Sequence, residues 1–234
     1  MSAADAQFDP FVKKQNSDSW SAWFRGRRFA LIEQQIERIS RVKGACRIVD
    51  VGGRVEYWTP ALQTLRRCNA HVTIVNVERT QPKNEPLFDF QFGDACDLGA
   101  FRDGAFDFAH SNSLIEHLGN WDSMSRCAAE LRRVSHSYYV QTPNFWFPYE
   151  PHFQAPFFHW LPEQMRARLV MRSSLGYFNR AKTLDKAMAN IESVRLVDKV
   201  QFASLFPDAE IRFERFAGLG KSLIAIRQAS FQLE

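Results

Sequence analysis

The sequence predicts an α/β fold, a parallel sheet with helices on both faces, and three observations carry that prediction. A β-branched strand ends in an Asp and a Gly-Gly turn in IVDVGGRVEYW (48–58). Further strand-like runs follow at intervals, each ending in polar acceptors, and a run ahead of the first strand has helical spacing. The chain of 234 residues, 45% of them apolar, has the size of one α/β domain with a substantial core.

The first strand leads into a turn where glycine lets the backbone approach a ligand or take positive φ, with the carboxylate of Asp50 beside Gly52 and Gly53. In an open α/β sheet, small-molecule sites lie at the carboxyl ends of the strands. An Asp at this point also reads as an ordinary cap of the following helix. The second run, VTIVNVE (72–78), ends with Asn76 and Glu78, where a ribose diol can be held by paired hydrogen bonds. A third strand-like segment over 91–98 carries Gly93 and Asp94. A fourth, FDFAHSNSLIEHLG (106–119), opens onto a polar turn.

Ahead of the sheet, SAWFRGRRFALIEQQIERISRVKG places Phe29, Ile32, Ile36 and Ile39 at helical spacing, with Gly44 as the stop. This predicts an N-terminal helix packed on the sheet. After the fifth strand, TPNFWFPYEPHFQAPFFHWLPEQMRARL (142–169) concentrates prolines, aromatics and two histidines. A long irregular connection at the carboxyl edge of a sheet serves as a lid or binding loop, or as a hydrophobic anchor for a helical insertion.

In their order, the DVGG turn, the acidic end of strand two, GDA after strand three, FDFAHSNSLIEHL, AAELRRV (128–134) and SYYVQTPN (137–144) resemble class I S-adenosylmethionine-dependent methyltransferases. The resemblance is to the broad type 11 group that includes quinone C-methyltransferases. A looser resemblance continues through LFPDAEIRFERFAGLGKSLIAIRQ (205–228), the last two strands of that fold. It implies a Rossmann-like seven-stranded methyltransferase sheet with a helical, aromatic insertion after strand five. The expected organisation is one domain: a helical extension (1–44), a cofactor-binding core (45–142), a substrate-side insertion (143–208) and the last two strands (209–228).

The resemblance also implies S-adenosyl-L-methionine as cofactor and assigns residues to it. Asp50, Gly52 and Gly53 should surround its methionine portion, Asn76 or Glu78 the ribose hydroxyls, and Asp94 with Ala95 the adenine edge. Ser111, Asn112 and Ser113 should lie beside the methionine amino group. Two further glycines usual in the family's turn are replaced by Arg54 and Glu56. The family's ribose acid aligns with Asn76, yet a carboxylate at Glu78 can accept from both hydroxyls.

Methyl transfer from a sulfonium is an in-line displacement, so nucleophile, methyl carbon and sulfur must be aligned, and a hydroxyl or amine acceptor must lose a proton. His152, flanked by Glu150 and two prolines, and His117 are the candidate bases. Asn144, Trp146, Tyr149, Glu150 and His159 are the candidate substrate-binding residues, with Trp20, Trp23, Phe24 and Arg27 of the first helix as further cleft-lining candidates. Aromatic walls suit a sulfonium cation and keep water from the reacting centre. No metal site is expected, because Asp94, Asp97, Asp103 and Asp107 are spread over different turns and Glu150, His152 and His159 lack ligand spacing.

Composition narrows the remaining classes. A net charge of +4, with the basic clusters RGRRF (25–29) and LRRV (131–134) inside helical patterns, does not predict nucleic-acid binding. No apolar run is long enough to span a membrane and no secretory signal opens the chain, so a cytoplasmic protein is expected. Cys46, Cys68, Cys96 and Cys127 form no C-x-x-C pair and read as buried small residues. An NAD-type oxidoreductase is disfavoured, because G-x-G-x-x-G is absent and Asp50 would oppose a pyrophosphate. The expected activity is methyl transfer to a small-molecule or saccharide acceptor, O-methylation in polysaccharide or natural-product biosynthesis. The alternatives are C-methylation of a quinone-like ring and a non-catalytic binding or assembly protein keeping the fold.

Overall fold

A computed structural model describes residues 19–78 and 86–229, the side chains of 19–22 excepted. In chain order the elements are α1 (Ser19–Lys43), β1 (Cys46–Val51), α2 (Leu62–Arg67), β2 (Ala70–Asn76), β3 (Phe88–Phe92), β4 (Phe108–Asn112), α3 (Trp121–Val134) and β5 (Tyr138–Pro143). There follow β6 (Tyr149–Glu150), β7 (Ala155–Pro156), α4 (Glu163–Arg172), α5 (Leu184–Glu192), α6 (Lys199–Leu205), β8 (Glu210–Phe216) and β9 (Leu219–Arg227). None of the described helices is long and apolar enough to cross a membrane.

The seven-stranded sheet has the order β3-β2-β1-β4-β5-β9-β8. The first five strands pair in parallel, and β9 runs antiparallel to both β5 and β8. The order reverses between β1 and β4, so the carboxyl ends of these strands flank the crevice where open α/β sheets bind ligands. This is the α/β, Rossmann-like methyltransferase sheet that the sequence predicts.

Alternation along the strands feeds two apolar layers, one on each face. Ile48, Val72, Ile74, Phe108, Tyr139, Ile224 and Ile226 face the layer containing Phe29, Ile32, Ile36 and Ile39 of α1 and Leu65 of α2. Val49, Val51, Val75, Val140, Leu223 and Ala225 face Met124, Cys127, Leu131 and Val134 of α3 and Phe202 and Leu205 of α6. The predicted helical stripe is therefore buried as expected. Helix α1 stops at Gly44, which takes φ +76° and returns its N–H to the Ser40 carbonyl at 2.8 Å.

Local signals set the other boundaries. Asn120 caps α3 by accepting from the Ser123 N–H, and Asp198 with Gln201 forms a capping box on α6. The third strand lies earlier than the expected 91–98: it is Phe88–Phe92, because alternation of Phe88 and Phe90 toward the α1 layer defines it. Gly93 then leaves the ladder, and Asp94 and Asp97 form a small bridge. Cys46, Cys68 and Cys127 are buried, and all four cysteines are unpaired. Burial pushes the Cys46 and Cys127 thiols well above their ordinary range, which leaves them unreactive at neutral pH.

The chain divides into two compact units. The larger is built from Gly26–Phe147 and the residues from Ser193 onward, and contains the sheet. The smaller centres on Pro148–Glu192 and contains the β6–β7 ribbon with α4 and α5. Within it, Phe153 stacks on Phe158 and Phe178 at centroid separations of 4.2 and 4.3 Å. Ala167 and Val170 are the buried residues of α4, and Ala187, Asn190 and Ile191 those of α5.

Candidate functional site

In the larger unit the carboxyl ends of β1, β2 and β4 carry a closed polar network. Asp50, at the end of β1, is fully buried. Its Oδ2 accepts from Trp58 Nε1 at 2.7 Å and its Oδ1 pairs with His110 Nδ1 at 2.7 Å. Gly52 takes φ +77°, and a Cβ there would come within 2.8 Å of Leu114; a Cβ on Gly53 would lie 1.7 Å from Asp50 Oδ2. Gly52 is thus required by its conformation and Gly53 by space. Asp50 holds the turn from beneath, with both oxygens engaged inside the protein.

The second strand end is organised around the same turn. Asn76 donates to the Gly53 carbonyl at 3.1 Å and accepts from the Glu78 N–H at 3.1 Å, which braces the turn and leaves its amide one further N–H and one further lone pair. Glu78 receives Arg54 Nη2 at 2.8 Å in a partly exposed pair. Arg54 therefore ties the turn to the tip of β2. Glu56 points to solvent. Beyond β3, exposed Asp94 accepts from the Cys96 N–H at 2.9 Å, and Ala95 is buried against the α3 layer.

At the tip of β4, Ser111 is buried and donates to the Val51 carbonyl at 3.0 Å. Asn112 is a hub: its Oδ1 accepts from Arg28 at 3.2 Å and from the Tyr57 hydroxyl at 3.3 Å. Ser113, at φ +54°, donates through its hydroxyl to Gln141 Oε1 at 3.1 Å. Arg28 also forms a two-pronged pair with Glu214 of β8, at 2.7 and 2.6 Å. Burial works against the Arg28 charge, but the Glu214 bonds outweigh it and hold the guanidinium's pKa above its ordinary value. Lys221 lies 3.9 Å from Glu214, and burial, with the Arg28 charge beside it, pulls its ammonium pKa down. Tyr57 and Tyr139 flank the His110 ring, and burial raises the Tyr139 hydroxyl pKa well above its usual range.

Arg28, Tyr57, Trp58, His110 and Glu214 had no assigned role in the sequence reading. One signal could have found the first: Arg28 lies four residues before Ile32 and eight before Ile36, on the stripe that the helix buries. Of the first-helix candidates, Phe24 is buried, Trp23 is half exposed and Arg27 is exposed; the side chain of Trp20 lies outside the described residues.

Past β4, Ile115–His117 forms a single 3₁₀ turn. Glu116 is fully buried, accepting from the Thr142 hydroxyl at 2.8 Å through one oxygen; its Oε1 has no hydrogen-bond partner among the described residues. His117 Nδ1 donates to the Ser193 carbonyl at 3.1 Å, which fixes the ring's orientation. Asn144 is buried and donates to the Gly220 carbonyl at 2.7 Å, a strand-end role, whereas Trp146 is 63% exposed.

In the smaller unit, Glu150 and His152 form a buried pair, Oε1 to Nδ1 at 2.7 Å, and Glu150 Oε2 accepts from the Phe153 N–H at 2.5 Å. The carboxylate fixes the ring orientation and directs the lone pair of a neutral imidazole to Nε2. Gly176 is required beside it, since a Cβ there would lie 2.2 Å from the His152 carbonyl oxygen. Tyr149 is exposed, and His159 is half-buried with its ring edge-on to Trp160 at 5.4 Å.

Residues 49–137 match the family model described as Methyltransferase domain, over the segment that carries this network. By this match residues 49–137 carry a methyltransferase domain, of the kind found in class I S-adenosylmethionine-dependent methyltransferases. The cofactor of such methyltransferases is S-adenosylmethionine, and the tight turn at Gly52, with its positive φ, and Gly53, with no room for a Cβ, fits it, with Glu78 at the next strand tip. Two curated relatives, uncharacterized proteins of Mycobacterium tuberculosis strains CDC 1551 and H37Rv, are 29% identical over 137 residues. The match covers 52% of this chain and 44% of each relative, so the chain matches less than half of their length. Among solved structures, the chain is similar to a SAM-dependent methyltransferase from Aquifex aeolicus, at 14% identity, 78% and 81% coverage and a TM-score of 0.44. It is also similar to an O-methyltransferase family protein from Burkholderia thailandensis, at 13% identity, 92% and 61% coverage and a TM-score of 0.48.

Proposed function

We propose that this methyltransferase transfers the cofactor's methyl group to a hydroxyl of a small-molecule or saccharide acceptor, as in polysaccharide or natural-product biosynthesis. The observation that carries the cofactor half is the turn itself: Gly52 takes φ +77° and Gly53 has no room for a Cβ, while Asn76 braces the Gly53 carbonyl. Glu78, whose carboxylate can accept from both hydroxyls, or Asn76 beside it holds the ribose diol, and Asp94 with Ala95 borders the adenine. Ser111 and Asn112 border the methionine end. Asp50 acts on the cofactor through the turn it supports.

For the acceptor half, His152 is the candidate base, because its Glu150 partner supports a neutral ring with a lone pair and the charge that follows proton uptake. His117 is the second candidate. Tyr149, Trp146 and His159 offer ring faces suited to a sugar. The Arg54–Glu78 pair favours one other reading, a non-catalytic fold in which the ribose carboxylate stays occupied by the turn's own arginine.

Calorimetry of the cofactor-free chain with S-adenosylhomocysteine, and with NADH in parallel, tests the cofactor half. Binding of the first ligand alone is expected, and an acceptor screen beginning with sugars and phenols follows. A folded sample that binds neither would overturn the proposal.

A further inference from the structure

The smaller unit exposes an aromatic and basic face that nothing in the methyl-transfer reading uses. Phe157 is 51% exposed and Trp160 40%, their rings 5.2 Å apart, on the short turn that leads into α4. Along α4, Met165 and Leu169 are exposed at 48% and 39%, and Arg168 and Arg172 are exposed with them. Positions 165, 168, 169 and 172 follow the i, i+3, i+4, i+7 rule and share one side of the helix, while Ala167 and Val170 are its buried residues. Exposure of a lone apolar side chain is ordinary in any surface, but four large ones fall within residues 157–169, two of them on one side of α4 with two arginines.

Backbone conformation adds an independent observation. Phe157 takes φ +59° and ψ +5°, a left-handed conformation that strains a bulky residue. Its N–H is fixed to the Pro148 carbonyl at 2.6 Å. A glycine would relieve the strain, yet the position holds a large ring turned to solvent. Charge selects the occupant: 148–192 carries six Lys or Arg against four Asp or Glu, and one of those acids, Glu150, is buried.

We propose that this face, Phe157 and Trp160 with Met165, Arg168, Leu169 and Arg172, docks the protein on an anionic lipid surface. Aromatic and apolar side chains enter the headgroup boundary, and the arginines lie at phosphate level with their stems along the apolar zone. The contact is peripheral and reversible, with a charge term that salt weakens.

The test is co-sedimentation of the full chain with vesicles of phosphatidylcholine alone and with about one third phosphatidylglycerol. Sedimentation with the anionic vesicles, reduced by high salt, is expected. The pair Arg168→Glu with Arg172→Glu should weaken it by roughly thirtyfold or more. Phe157→Gly removes the ring and relieves the strained backbone, so it should weaken vesicle binding while leaving thermal stability unchanged or raised. Urea midpoints for each variant keep loss of fold distinct from loss of docking. The proposal is overturned if the wild-type chain stays in the supernatant with both vesicle types, or if neither variant changes sedimentation. Retention on poly-glutamate without vesicle binding would likewise overturn it in favour of an acidic protein partner.

Discussion

The Asp50 carboxylate occupies the space that a side chain on Gly53 would need: a Cβ added to Gly53 would sit 1.7 Å from Asp50 Oδ2. That oxygen is held by Trp58 Nε1 and its twin by His110 Nδ1. Gly53→Ala must therefore expel a buried carboxylate from two hydrogen bonds. A loss of about 2–4 kcal/mol is expected in urea denaturation, together with loss of S-adenosylhomocysteine binding. Asp50→Ala leaves both donors orphaned and should destabilise by a similar amount. Normal stability of either variant would show that the clamp contributes nothing.

Arg54 and Glu78 connect the turn to the tip of β2 by a partly exposed pair, which is worth no more than about 1 kcal/mol. A ribose diol competing for Glu78 must displace it. Glu78→Gln should weaken S-adenosylhomocysteine binding about tenfold. Arg54→Ala should leave binding unchanged or tighten it by up to about fivefold, and more strongly at low salt. Tenfold weaker binding by Arg54→Ala would instead make the arginine a ligand contact.

The sheet was legible because its signals are local. Alternation in β1, β2 and β5, the 29-32-36-39 stripe and Gly44 each declare themselves within a few residues. The site was legible only in outline. The glycine turn and the strand-end acceptors mark a place, but which partner each side chain takes is a long-range fact. Asn76 gives no sign in the sequence that it braces the Gly53 carbonyl, and Arg28 finds Glu214 only because β8 folds back 186 residues later. The third strand begins earlier than its sequence suggests, because the alternation of Phe88 and Phe90 is short and the polar run into Gly93 and Asp94 follows it directly.

Asp107 ties the end of α1 to the start of β1 and β4, accepting from Lys43 Nζ at 2.7 Å and from the Arg47 N–H at 2.8 Å. Burial works to raise its pKa, but the Lys43 and Arg47 bonds prevail and hold it below the ordinary carboxylate value. A depressed folded pKa means that the unfolded chain takes up the proton first as pH falls. The contribution is full above the unfolded value, about 3.9, and is lost as pH drops through the folded value. Asp107→Asn should lower stability by about 1–3 kcal/mol at neutral pH, with a difference from wild type that shrinks below about pH 4. A difference independent of pH would assign the effect to packing.

Arg28 and Glu214 form a two-pronged pair that is mostly shielded from solvent. Glu214→Gln would leave the guanidinium facing Lys221 without a counter-charge, at a cost of about 3–5 kcal/mol. Arg28→Met together with Glu214→Met should be milder than either single change, because it removes the charges as a pair. Urea midpoints of the two singles and the double close the cycle, and additive effects would show that the pair is not coupled.

Glu150 and His152 test the acceptor half separately from the cofactor half. Once an acceptor is known, His152→Ala should lower kcat by about 10²- to 10⁴-fold if the imidazole takes the hydroxyl proton, and leave S-adenosylhomocysteine affinity unchanged. Glu150→Gln retains an acceptor for the ring N–H but removes the charge that balances an imidazolium, so it should reproduce part of that loss. Gly176→Ala is the structural control: its Cβ would clash with the His152 carbonyl without touching the ring nitrogens. If that variant is destabilised while His152→Ala keeps full turnover, the pair braces the smaller unit and the proton leaves by another route.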